Sequence, residues 1–107
     1  MRTQRARPAL LAAFGCLLAL GAAMPAHASQ DLASSKACLA CHGLDKKMVG
    51  PAFQDIKGKY SGRKDGQAQM VQSILKGSSG RWGPVPMPAN AVSEADANIL
   101  AKWILSL

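Results

Sequence analysis

Five consecutive residues, Cys38-Leu39-Ala40-Cys41-His42, constrain this chain more than any other stretch. The spacing Cys-x-x-Cys-His is that of a covalent attachment site for haem of the c type. If residues 38–42 form one turn of helix, positions three and four apart share a face, so both thiols and the imidazole project together. Two sulfurs then bond the porphyrin edge as thioethers while His42 reaches the iron.

Other uses of the same cysteines fit the chain less well. A zinc ribbon needs a second cysteine pair or further histidines. Outside the motif the chain holds only Cys16 and His27, both in a segment that export removes. A thioredoxin-like redox pair needs a βαβ surround, and no strand pattern is present. A plain structural disulfide is the remaining alternative, and it leaves the adjacent His42 without a purpose.

Residues 1–28 read as an export signal. Arg2, Arg5 and Arg7 form a basic start, residues 9–24 are apolar or small, and Ala26-His27-Ala28 supplies the A-x-A pattern for cleavage before Ser29. The apolar run of 16 residues is short against the ~20 needed to cross a bilayer. Cys16 is read as part of this signal, and no adjacent arginine pair points to a twin-arginine route. The expected organisation is therefore a signal peptide over 1–28 and one domain over 29–107, located in the periplasm and not embedded in the membrane.

The expected mature chain of 79 residues is short. Domains below roughly 70–80 residues seldom gain more than about 3–5 kcal/mol from their own core. With Cys38 and Cys41 committed, no disulfide can staple it, so the haem itself is the expected nucleus. The full chain carries 13 basic and 6 acidic residues; removing three leader arginines leaves ten basic residues and a net charge of +4. Lys46, Lys47, Lys57, Lys59, Arg63 and Lys64 crowd the first half, either as a docking face for an acidic partner or as a solvated surface. Export and the lack of interleaved aromatic and basic residues argue against nucleic acid.

The remaining pattern is helical. A short helix is expected over 31–37, leading into the motif. Phe53, Ile56 and Tyr60 recur at helical spacing before Gly62. Asp65 is a candidate N-cap for a third helix carrying Ala68, Val71, Ile74 and Leu75 and ending at Gly77. Ser93 with Asp96 resembles a capping box opening a last helix, whose apolar stripe is Ala97, Leu100, Ala101, Ile104 and Leu107, flanked by Ile99 and Trp103.

Between the third and fourth helices lies a 16-residue stretch, 77–92, with no helical pattern. Such a stretch in a small domain is more often functional than not. Pro84, Pro86 and Pro88 stiffen it and hold Met87 between two rings. A thioether on a rigid segment can close the second face of the iron, and His/Met ligation raises the reduction potential. Once His27 is removed, no second histidine remains for that face. Met48 lies six residues beyond His42, too near to cross the porphyrin, and Met70 sits in a helical pattern where methionine is usually filler. Met87, 45 residues downstream, ranks first.

Residues 38–42, then Met48-Val49-Gly50-Pro51-Ala52, Gly80-Arg81-Trp82-Gly83-Pro84-Val85-Pro86-Met87-Pro88 with Asn90-Ala91-Val92, and Leu100-Ala101-Lys102-Trp103 resemble the short bacterial class I cytochromes c of the c-551 type. The likeness spans nearly all of 29–107. It implies thioethers at Cys38 and Cys41 and axial ligands at His42 and Met87. It further implies a hydrogen bond from His42 to the Pro51 carbonyl, a bond from the Trp82 indole to a haem propionate, and Asn90 steadying the Met87 sulfur. Ser73 stands where some members of that family place a basic residue near the propionate.

The expected fold is all-α, the class I cytochrome c fold: four or five short helices around one covalently bound haem c, with the first and last helices crossing. The expected function is that of an electron carrier, not an enzyme: a monomer that moves single electrons between respiratory redox proteins docking at an exposed haem edge. The rival class is a haem enzyme or small-ligand sensor with a labile sixth position.

Overall fold

The computed structural model describes Gly15 and residues 26–107. Apart from Gly15 and the backbone of 26–28, the expected signal peptide, with its arginines and Cys16, lies outside the described residues. Four helices follow in order: α1 (Ala26–Ser35), α2 (Phe53–Tyr60), α3 (Gly66–Lys76) and α4 (Glu94–Ser106), with a single 3-10 turn over Cys38–Ala40. Among the described residues there is no strand, only two isolated bridges. No helix there is long and apolar enough to cross a membrane.

α1 differs from expectation at both ends, starting at Ala26 rather than residue 31 and stopping at Ser35 rather than 37. No glycine or proline interrupts its sequence, so the helix runs through the bond where cleavage is expected. It stops because Ala37 adopts φ 61°, a left-handed conformation uncommon outside glycine. The turn over Cys38–Ala40 follows directly, and His42 N–H bonds Cys38 O at 3.0 Å. The motif is thus one tight turn set at an angle to α1.

α4 is the element the others pack on: it touches α1, α2 and α3. Ala97, Leu100, Ala101, Trp103 and Ile104 are buried along it, a wide stripe that matches the need to cover three neighbours. Fully buried Ala33 on α1 and Ala97 and Ala101 on α4 keep these helices slim where they pack. Ser93 Oγ accepts from Asp96 N–H at 3.0 Å, the forward half of a capping box. Asp65 stands at the expected N-cap position of α3 but makes no capping bond. Its carboxylate is engaged by Gln69 and by Arg63 instead.

α3 ends at Gly77, with φ 78°. A side chain there would also collide with backbone, since a Cβ would lie 2.5 Å from the Met87 carbonyl oxygen. That close approach is what lets the segment after α3 fold back against the helix end.

Candidate functional site

An open cleft, about 1200 Å³ when the solvent at its mouth is counted, runs between the 3-10 turn, α2, α3 and the irregular segment 77–93. It is lined mainly by apolar side chains, among them Phe53, Ile56, Met70, Ile74, Leu100 and Ile104. Every site residue read from the sequence, Cys38, Cys41, His42, Pro51, Trp82, Met87 and Asn90, borders this one cleft.

His42 is only 7% exposed, and three contacts hold its ring. Nδ1 donates to the Pro51 carbonyl oxygen at 2.7 Å. Phe53 stacks on it with ring centroids 5.0 Å apart and planes 19° apart, and Phe53 in turn meets Trp103 edge-on at 5.4 Å. Gly50 abuts it so closely that a Cβ would lie 2.7 Å from Cε1 and 3.0 Å from Nδ1. Donation from Nδ1 leaves Nε2 as the lone-pair nitrogen, the tautomer a metal ligand requires.

The tight loop that presents Gly50 and Pro51 is closed by Gly50 N–H to Cys41 O at 2.8 Å and by Phe53 N–H to Gly43 O at 2.9 Å. Gly50→Ala should therefore leave the loop's backbone bonds available yet push the imidazole off Pro51. The expected outcome is a lower thermal midpoint and an altered haem absorption spectrum in the holoprotein; an unchanged spectrum would show that the ring tolerates a methyl group there.

Met87 sits on the opposite run of chain, residues 77–93. Its backbone exchanges two hydrogen bonds with Ser78, at 2.8 and 3.0 Å. Asn90 N–H bonds Ile74 O at 3.0 Å, and the Asn90 amide donates to Ile74 O at 3.1 Å and Pro88 O at 3.3 Å. Asn90 thus directs its donors to the backbone carbonyls of Ile74 and Pro88. It ties the proline segment to the end of α3, and so holds Met87 through the backbone. The competing methionines are placed apart: Met48 is 51% exposed and absent from the cleft wall, whereas Met70 is buried in the core and lines the cleft from α3.

The two thiols border the cleft with Cys41 exposed and Cys38 half-buried. Burial pushes the Cys38 thiol up from its ordinary pKa, against a backbone hydrogen bond that lowers it, and the neighbouring Cys41 adds to the rise. Both sulfurs are free, as attachment through thioethers requires. A flat apolar group with two reactive vinyl carbons and a metal at its centre fits this set: sulfurs on the wall, an oriented imidazole, a thioether, and apolar walls between.

Trp82 borders the cleft and a shallower hollow beside it, with Lys47, Met48, Val49, Pro84 and Val85. Lys59 Nζ lies 4.5 Å from the Trp82 ring centroid, a cation–π contact. Three of the six basic residues of the first half have partners. Lys57 donates to the Leu107 carbonyl, Lys59 is held at Trp82, and Arg63 pairs with Asp65. The Gly50 and Phe53 contacts to His42 and the Lys59 contact to Trp82 are functional features missed by sequence reading. Only the Gly-Pro step next to the motif hinted at the first of them.

The cytochrome c family model matches residues 26–107. Cytochrome c-551 of Pseudomonas aeruginosa is 50% identical over 96 residues, covering 90% of this chain and 90% of that protein. Cytochrome c-552 of Hydrogenobacter thermophilus is 51% identical over 80 residues, covering 75% and 82% respectively. Among solved structures, wild-type cytochrome c552 of Nitrosomonas europaea superposes with a TM-score of 0.71 at 49% identity, covering 73% of this chain and 98% of that one.

Proposed function

The chain belongs to the cytochrome c family, and from that premise we propose that it is an exported, monomeric carrier that shuttles single electrons between respiratory partners in the periplasm. As a family member it is an electron carrier rather than an enzyme, and it binds one covalent haem c. The haem iron, when bound, supplies the one-electron couple. In our reading Cys38 and Cys41 would hold the haem through thioethers, His42 and Met87 would ligate its iron, and Trp82 would hold a propionate.

The chain's own residues do the rest. Pro51 orients the His42 ring and makes its free nitrogen more electron-donating. Ser78 and Asn90 anchor the proline segment, so Met87 stays put when the charge on the metal changes. Phe53, Ile74, Leu100 and Ile104 keep water from the buried side. With two side chains ligating the iron, no site would remain there for a substrate. The observation that carries the reading is the convergence of all seven site residues on one apolar cleft, with His42 Nδ1 bonded to Pro51 at 2.7 Å.

Partners would dock where the cleft opens. Met48, Val49, Trp82 and Val85 form an exposed apolar rim there, with Lys47 and Lys59 at its border. Such a small apolar rim bordered by lysines suits brief, salt-sensitive encounters.

Expression in a host that matures cytochromes c tests the proposal. The periplasmic product should begin at Ser29 by mass spectrometry, carry one haem, and show no spectral change when its ferrous form meets carbon monoxide. Rapid carbon monoxide binding would instead indicate a ligand sensor or enzyme. A haem-free product would return Cys38 and Cys41 to thiol chemistry.

A further inference from the structure

Arg81 is the sole cationic side chain among the residues that line the cleft, and no acidic side chain is among them. Its guanidinium Nη1 donates to the hydroxyl of Tyr60 at 3.3 Å, and Tyr60 is itself buried in α2 and borders the cleft. Its backbone is gripped from the same helix, since Lys59 Nζ donates to the Arg81 carbonyl oxygen at 3.2 Å. Among the described residues the one ion pair is Arg63 with Asp65, at 3.5 Å. Arg81 is thus held in place by α2 without a protein carboxylate to neutralise it.

A haem carries two carboxylates into whatever site takes it, and an anion against apolar walls is costly unless it is paired. We propose that Arg81, braced by the Tyr60 hydroxyl, is the counter-ion of a haem carboxylate at the mouth of the cleft. The inference rests on the reading of this cleft as the haem site. The planar guanidinium presents paired donors that match the two oxygens of a carboxylate, which a lysine ammonium does not. α3 offers no competitor, because its cleft-lining residues are Met70, Ser73 and Ile74. The cation on the cleft wall therefore comes from the segment that also carries Trp82 and Met87.

The groups facing the corner are few. α2 contributes Lys59 and Tyr60, the turn after it contributes Arg63, 5.6 Å from the Tyr60 ring centroid and paired to Asp65, and the proline segment contributes Arg81. A guanidinium beside a carboxylate favours the ionised form and holds its pKa down. Protonating that carboxylate removes negative charge that favours the ferric state, so the midpoint potential rises as pH falls through its pKa.

Redox titrations of the holoprotein across pH 4 to 9 read this directly. In Arg81→Gln the upturn in potential should begin about one pH unit or more above its position in the wild type. Arg81→Lys should retain most of the wild-type profile, and Tyr60→Phe should give a smaller upward displacement than Arg81→Gln. Arg81→Val carries the same expectation as the glutamine variant if the latter fails to load haem. Superimposable profiles for the wild type and a haem-loaded Arg81→Gln or Arg81→Val protein would overturn the proposal. Absorption spectra of the same samples report haem attachment and axial ligation independently, so a failure of the cofactor site is distinguished from a failure of the Arg81 pairing.

Discussion

Replacing Met87 by alanine should lower the reduction potential and open the iron to carbon monoxide, while the polypeptide around it stays folded. The structure makes this substitution a clean probe. The bonds that pin residue 87 are between its backbone and that of Ser78, and an alanine keeps both. Pro86 and Pro88 still restrict the chain on either side, and Asn90 still ties the segment to Ile74. What is lost is the thioether. A thioether stabilises the ferrous state relative to water or an empty position, so its loss favours the ferric form. The expected fall is on the order of 0.1 V or more, within the about 0.8 V that axial ligation spans among haem proteins. Met48→Leu and Met70→Leu serve as controls, since Met48 is exposed and not part of the cleft wall and Met70 is packed in the core. Both should keep the far-red absorption of a thioether bound to ferric iron. An unchanged potential in Met87→Ala, or loss of that band in Met70→Leu, would move the ligand to α3.

What could be read from the sequence was local. The haem motif is a spacing within one turn, and α2, α3 and α4 announce themselves by apolar residues three and four apart, so each follows from neighbours along the chain. The departures arise where distant segments meet. Ala37 carries no mark of its left-handed backbone, because alanine is a helix former and the break follows from how α1 is joined to the motif. Asp65 looks like a cap, yet its carboxylate is drawn to Gln69 and Arg63. Asn90 is a polar residue next to prolines, and only the fold shows that its amide reaches the end of α3, 16 positions away. Gly50 is the sharpest case. As a sequence letter it reads as part of a bend, but its lack of a side chain is what admits the His42 ring. The basic residues are likewise distinguished only by the fold: Lys57, Lys59 and Arg63 look alike in sequence and have three different partners.

Without haem the chain should lose its cooperative fold. Phe53, Met70, Ile74, Leu100 and Ile104 belong to the hydrophobic core and also line the cleft, so a haem in the cleft would pack directly against the core. Burying a side chain of this kind contributes about 1.5–3 kcal/mol. A domain of this size commonly gains only roughly 3–5 kcal/mol from its own core, so losing the large apolar plate packed against these five side chains leaves little margin. α1, α2 and α3 are each too short to persist alone in water, so local helix formation cannot compensate. Protein made without haem attachment, by way of the Cys38→Ala/Cys41→Ala double variant purified free of haem, should show weak helical circular dichroism and no sigmoidal thermal transition. Adding haem should restore helicity, because His42 and Met87 remain available to grip it. A haem-free chain that melts in one sharp step with native-like helicity would show instead that α4 and its three neighbours suffice, and that the cleft is a pre-formed pocket rather than the missing half of the core.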